Sequence, residues 1–148
     1  MTIVLWIIVG MVTVAFAYSM RFTQATLSLG RILADTEVGT GVQDAVTPPW
    51  QTNLVMTAYI GVAAVVGVMW WHTGWGSGLG ALALILFGGG AVGAAFPDKD
   101  APHFRNLILR SMISRYADYV RDGDLMRAEA MKDLLTKAGV DPNNFPSK

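Results

Sequence analysis

The sequence predicts an all-α membrane protein with three transmembrane helices and a C-terminal cytoplasmic helical hairpin. Three observations predict it. The chain of 148 residues is 53% hydrophobic and only 15% charged, whereas a soluble domain is about one-quarter charged. Charge is missing altogether from residues 1–20 and from the 53 residues 45–97. All eleven lysines and arginines fall on one side of the spans those runs define.

A hydrocarbon core of about 30 Å takes roughly 20 helical residues. The first uncharged run therefore makes one span, and the second makes two joined by a tight turn. We assign residues 1–22 to the first span, with its helix starting at about residue 3, residues 51–71 to the second and residues 76–96 to the third. Residues 72–75 form a short external turn. Aromatic side chains mark two interface levels, Trp6, Trp70, Trp71 and Trp75 at one and Tyr18, Phe22, Trp50 and Phe96 at the other. Arg21 and Arg31 lie between the first two spans and the other nine cations follow the third. The positive-inside rule then places the N-terminus outside and the C-terminus in the cytoplasm, in a prokaryotic inner membrane. Ala15, Phe16 and Ala17 resemble a signal-peptidase site, but the positively charged segment that precedes such sites is missing.

The loop, residues 23–50, changes character along its length. Phe22, Leu29, Ile32 and Leu33 extend the first helix to about Asp35, after which Gly39, Gly41, Pro48 and Pro49 break regular structure. The segment is expected to be a connector. The tail, residues 97–148, is more organised. Asp98 or Asp100 is a candidate cap, with Pro102 in the first turn of a helix. Phe104, Leu107, Ile108, Met112, Ile113, Tyr116 and Tyr119 or Val120 recur at helical spacing. Gly123 suits the left-handed end of that helix and Asp124 the cap of a second, whose stripe is Leu125, Ala128, Met131, Leu135 and Ala138 before Gly139. Two short helices bury too little surface to stand alone. The hairpin is expected to lean on the leaflet, its own loop or another subunit, and Phe104, Ile108, Met112, Arg115, Tyr116 and Tyr119 are its candidate partner-docking residues.

Residues 74–96 contain the spacing of a dinucleotide loop, Gly76, Gly78 and Ala81 with Asp98 downstream. The context excludes it: the motif needs a preceding strand and a water-accessible helix N-terminus, and here it runs into seven apolar residues. No Gly-Lys-Ser/Thr ending completes a P-loop. No nucleotide and no nucleic acid is expected, since net charge is zero. As parts of a membrane helix, Gly76 with Gly80 and Gly89 with Gly93 are small-xxx-small pairs, beside Gly88 and Gly90, and Ala63 with Gly67 offers a matching strip on the second span. Tight packing is expected between spans two and three, or between copies. Three consecutive glycines weaken a helix and expose backbone that must be covered by protein or water.

The chain has no cysteine and two histidines. His72 and His103 lie at opposite interfaces, about 40 Å apart across a bilayer, so one chain cannot place both on one metal. His72 is the weak metal candidate, completed by a ligand from a partner. No carboxylate, lysine or arginine occurs within the interior of a span, which argues against a self-contained pump. No catalytic constellation and no cofactor is expected beyond bound lipid. The leading expectation is a non-catalytic accessory subunit of a larger membrane complex. Three spans, an outside N-terminus and an inside basic C-terminus also resemble phage holins, which implies a homo-oligomeric pore as the alternative; the long structured tail departs from that pattern. A further alternative is a subunit that completes a metalloenzyme site. The spacing of Tyr119, Gly123 and Ala128 resembles the centre of a tetratricopeptide unit, without a second repeat, and implies no function.

Overall fold

The computed structural model describes residues 2–34, 41–96 and 102–141. The described residues are helical apart from short turns and links, with no strand among them. In chain order the helices are α1 (Thr2–Ala34), α2 (Val42–Val46), α3 (Pro49–Thr73), α4 (Trp75–Ala83), a single π turn (Leu84–Gly88), α5 (Gly89–Ala95), α6 (Pro102–Asp122) and α7 (Leu125–Lys137). Three helical stretches, α1, α3 and the run Trp75–Ala95, are long and apolar enough to cross a membrane. The chain divides into two compact units, Met1–Thr23 with Pro49–Asp98, and Gln24–Pro48 with Lys99–Lys148.

In the first unit the three apolar helices meet at Val9, Met69, Ala81 and Ile85, all fully buried, with Leu5, Phe16, Val62 and Val66 packed around them. The outward faces are apolar as well. Trp71 is 86% and Phe87 80% exposed, as a surface facing lipid requires and one facing water does not tolerate over such an area.

The turn between α3 and α4 is shorter than the four residues expected: Gly74 alone separates the helices. Its φ of 90° and ψ of 165° lie in a region essentially restricted to glycine. Such a turn brings the two helices together at once. A side chain at Gly78 would place its Cβ 3.1 Å from Trp70 Cβ and 3.3 Å from Trp70 Cα, so the absence of a side chain sets the spacing.

The second unit answers what the tail leans on. Phe104, Ile108 and Met112 of α6 and Met131, Leu134 and Leu135 of α7 are buried together with Ala25, Leu33, Val42 and Val46 from the loop segment. The loop is therefore more than a connector. α1 continues through it to Ala34, and α2 forms between Gly41 and Pro48, where only a broken chain was expected. The hairpin junction follows the expectation. Gly123 takes φ 76°, and the Asp124 carboxylate accepts the Arg127 backbone N–H at 3.1 Å. The proposed caps Asp98 and Asp100, and the breaks at Asp35 and Gly39, lie outside the described residues.

Candidate functional site

Spans two and three pack closely, as expected, but the first span also approaches the glycine-rich third. A Cβ at Gly88 would lie 3.8 Å from Thr13 Cγ2, one at Gly89 3.5 Å from Phe16 Cδ1, and one at Gly93 3.7 Å from Arg21 Nε. Thr13, Phe16 and Arg21 all belong to α1. The first span, not the second, therefore runs along this glycine face. Gly80 approaches only Trp6, at 4.0 Å, while Gly76, Gly90 and Gly67 have no atom within reach of a built Cβ. Ala63 is exposed. The second span instead meets the third through Gly78 against Trp70, a contact absent from the expected small-residue pairs. Small-xxx-small spacing records that a helix can be approached closely, not by which neighbour.

The π turn runs into the glycine triplet and ends at its first member, Gly88. Such turns commonly occur singly inside α-helices, often at functional positions. Here Leu84 and Phe87 point outward and Ile85 inward, and Thr13 satisfies its own hydroxyl by donating to the Val9 carbonyl at 2.8 Å. The bend site is thus lined by apolar groups.

At the end of this unit Arg21 donates from Nε to the Gly93 carbonyl at 2.8 Å. The Gly93 carbonyl lies in the last turn of α5 and also accepts the Phe96 backbone N–H at 3.2 Å, so Arg21 is a second donor at a helix end where carbonyls run short of helical partners. A cation there also meets the negative end of the helix dipole, a contribution of about 0.3–1 kcal/mol. Tyr18 packs edge-on against Phe96 beside it, with ring centroids 5.8 Å apart. Thr23 and Gln51 continue a polar layer at this level: Thr23 donates to the Ser19 carbonyl at 2.9 Å and Gln51 Nε2 lies 3.4 Å from Thr23 Oγ1.

The second unit uses arginine in the same manner twice. Arg105 donates to the Ala138 carbonyl at the end of α7, at 2.7 Å. Arg115 donates to the Asp44 and Ala45 carbonyls of α2, at 2.6 and 3.3 Å. An open cleft of about 630 Å³ is lined by Arg115, Tyr119 and Arg127, by Asp44, and by apolar residues including Val42, Met131 and Leu134.

Of the six docking candidates, Arg115, Tyr116 and Tyr119 keep partial exposure. Phe104, Ile108 and Met112 do not: each is at most 1% exposed, because α6 packs mainly against α7 and also against α2, so the apolar stripe that could meet a partner is covered within the chain. His72 is exposed near the end of α3. Among the described residues no three histidine or acidic side chains gather at a spacing that would hold a metal.

No protein-family model, curated protein or solved structure matches the chain. The class defined here is that of a membrane protein with three apolar helices and a separate helical unit.

Proposed function

We propose that the protein is a small non-catalytic subunit that packs into a larger prokaryotic inner-membrane complex and stabilises it, with its N-terminus outside and its second unit in the cytoplasm, docked on a partner. The observation that carries this reading is the cleft of the second unit. Its lining combines apolar side chains with Arg115, Arg127, Tyr119 and Asp44; Arg115 is fixed in place by backbone carbonyls, and Arg127 pairs with Asp124 at 3.4 Å. Aromatic and arginine side chains beside apolar ones are the composition of binding hot spots. The lysines and arginines of the tail, which are the charges the positive-inside rule counts, and the uncharged spans support the orientation. The open faces at Ala63, Gly67, Gly76 and Gly90 are the places where other integral membrane subunits or copies of the chain would approach.

The test is gentle solubilisation followed by mass measurement. The tagged protein is expected to run in an assembly well above the 15.9 kDa chain plus its micelle. Arg115→Glu is expected to weaken that association by about tenfold or more, the usual consequence of reversing a charge at an arginine hot spot. The variant must keep its melting temperature within a few degrees, since Arg115 also holds α2. A monodisperse monomer that retains no other chain overturns the reading.

A further inference from the structure

Arg21 ends the uncharged first run and is half-buried. Its Nε is committed to the Gly93 carbonyl. Among the described residues no carboxylate pairs with it, the ion pairs there being those of Arg121 and Arg127. A guanidinium carries five N–H donors in a fixed plane, so the two Nη groups keep four. Fixing Nε pins the plane of that fork, and the arginine fork matches two phosphate oxygens at once.

The level of the group identifies what anion it meets. α5 ends at Ala95 and Phe96 turns to extended backbone, which ends the third apolar stretch. A residue level with Gly93 therefore sits where hydrocarbon gives way to headgroups. Tyr18 and Phe96 pack edge-on against each other beside it and both stay partly exposed, the residue types that line the membrane interface.

We propose that Arg21 anchors a binding site for the phosphodiester of an anionic phospholipid, held bidentately by its Nη groups with an acyl chain against Tyr18 and Phe96. Net anionic headgroups are preferred over zwitterionic ones because the guanidinium charge lacks a carboxylate among the described residues, and a choline ammonium would bring a like charge to it. This inference rests on the apolar spans alone and is independent of the docking reading and of which side the tail occupies.

The full-length protein is reconstituted in phosphatidylcholine vesicles containing a minor fraction of phosphatidylglycerol, re-extracted in mild detergent, and analysed by native mass spectrometry. The wild type is expected to retain one phosphatidylglycerol preferentially, with excess inorganic phosphate failing to displace it. Arg21→Gln should lower that retention about tenfold, as expected for lost charge-assisted hydrogen bonds. Arg21→Lys should recover part of it, through charge without the fork, and Arg31→Gln, at an exposed position, should leave it unchanged. Equal retention of the two lipids by the wild type overturns the proposal without recourse to any variant. So does unchanged retention in Arg21→Gln, and displacement by inorganic phosphate alone overturns the lipid assignment.

Discussion

Gly78→Leu is expected to force the second and third spans apart. The group it would strike is the Trp70 backbone and Cβ, at 3.1 to 3.3 Å from the new Cβ, and backbone one turn from the Gly74 link cannot step aside as a long side chain can. Overpacking of this kind costs about 1–3 kcal/mol where neighbours can adjust, and a leucine here sits at or beyond the upper end. Gly78→Ala should show a smaller loss in the same direction. Gly76→Leu, two residues earlier with nothing within 4 Å of its Cβ, should change little. Thermal unfolding in detergent reads the series. Gly74→Ala belongs with it for another reason: no atom lies near its Cβ, but φ 90° and ψ 165° are forbidden to an alanine at a cost of about 1–3 kcal/mol. Equal melting temperatures for Gly78→Leu and Gly76→Leu would remove the close approach from the account.

Phe104→Ala is expected to destabilise the second unit by about 3–5 kcal/mol, the range for removing a fully buried phenyl ring. Phe104 is 0% exposed and lies in a core shared by the tail hairpin and the loop segment. Tyr116→Ala, at a half-exposed position of the same helix, should cost far less. Limited proteolysis of the tail, with chemical denaturation followed by circular dichroism, separates the two. If Phe104 were a docking residue, its loss would weaken association and leave the unit's resistance to protease unchanged.

The sequence shows the spans because hydrocarbon imposes a rule that each residue obeys alone: charges are excluded over about 20 positions. It shows the hairpin junction because a left-handed glycine and an aspartate cap act within four residues, as Gly123 and Asp124 do. What it hides are contacts between distant positions. The capping of α5 by Arg21 spans 72 residues and the capping of α2 by Arg115 spans 71, and a lone arginine in either neighbourhood suggests only a surface cation. The glycine face at Gly88, Gly89 and Gly93 was visible as a face, but its neighbour is only half legible: Thr13 and Ala17 of the first span form a small-xxx-small pair, both buried, whereas the bulky Phe16 and the cation Arg21 that also line it give no such signal. The π turn is hidden for a related reason: apolar composition from Leu84 to Phe87 suits either hydrogen-bond pattern. The docking stripe misled in an informative way. Amphipathic periodicity says that Phe104, Ile108 and Met112 must be covered, and the nearest cover was the chain itself.

The membrane topology underlies the proposed role of the second unit, and the chain offers a clean way to measure it. It contains no cysteine, so a single introduced thiol is the only one to react. His72→Cys lies near the turn between the second and third spans, and Met126→Cys replaces a side chain 85% exposed in the tail hairpin. With a membrane-impermeant maleimide applied to intact cells lacking an outer-membrane barrier, His72→Cys is expected to label at once and Met126→Cys only after the inner membrane is permeabilised. Labelling of Met126→Cys in intact cells, or of both positions from the same side, would contradict the account.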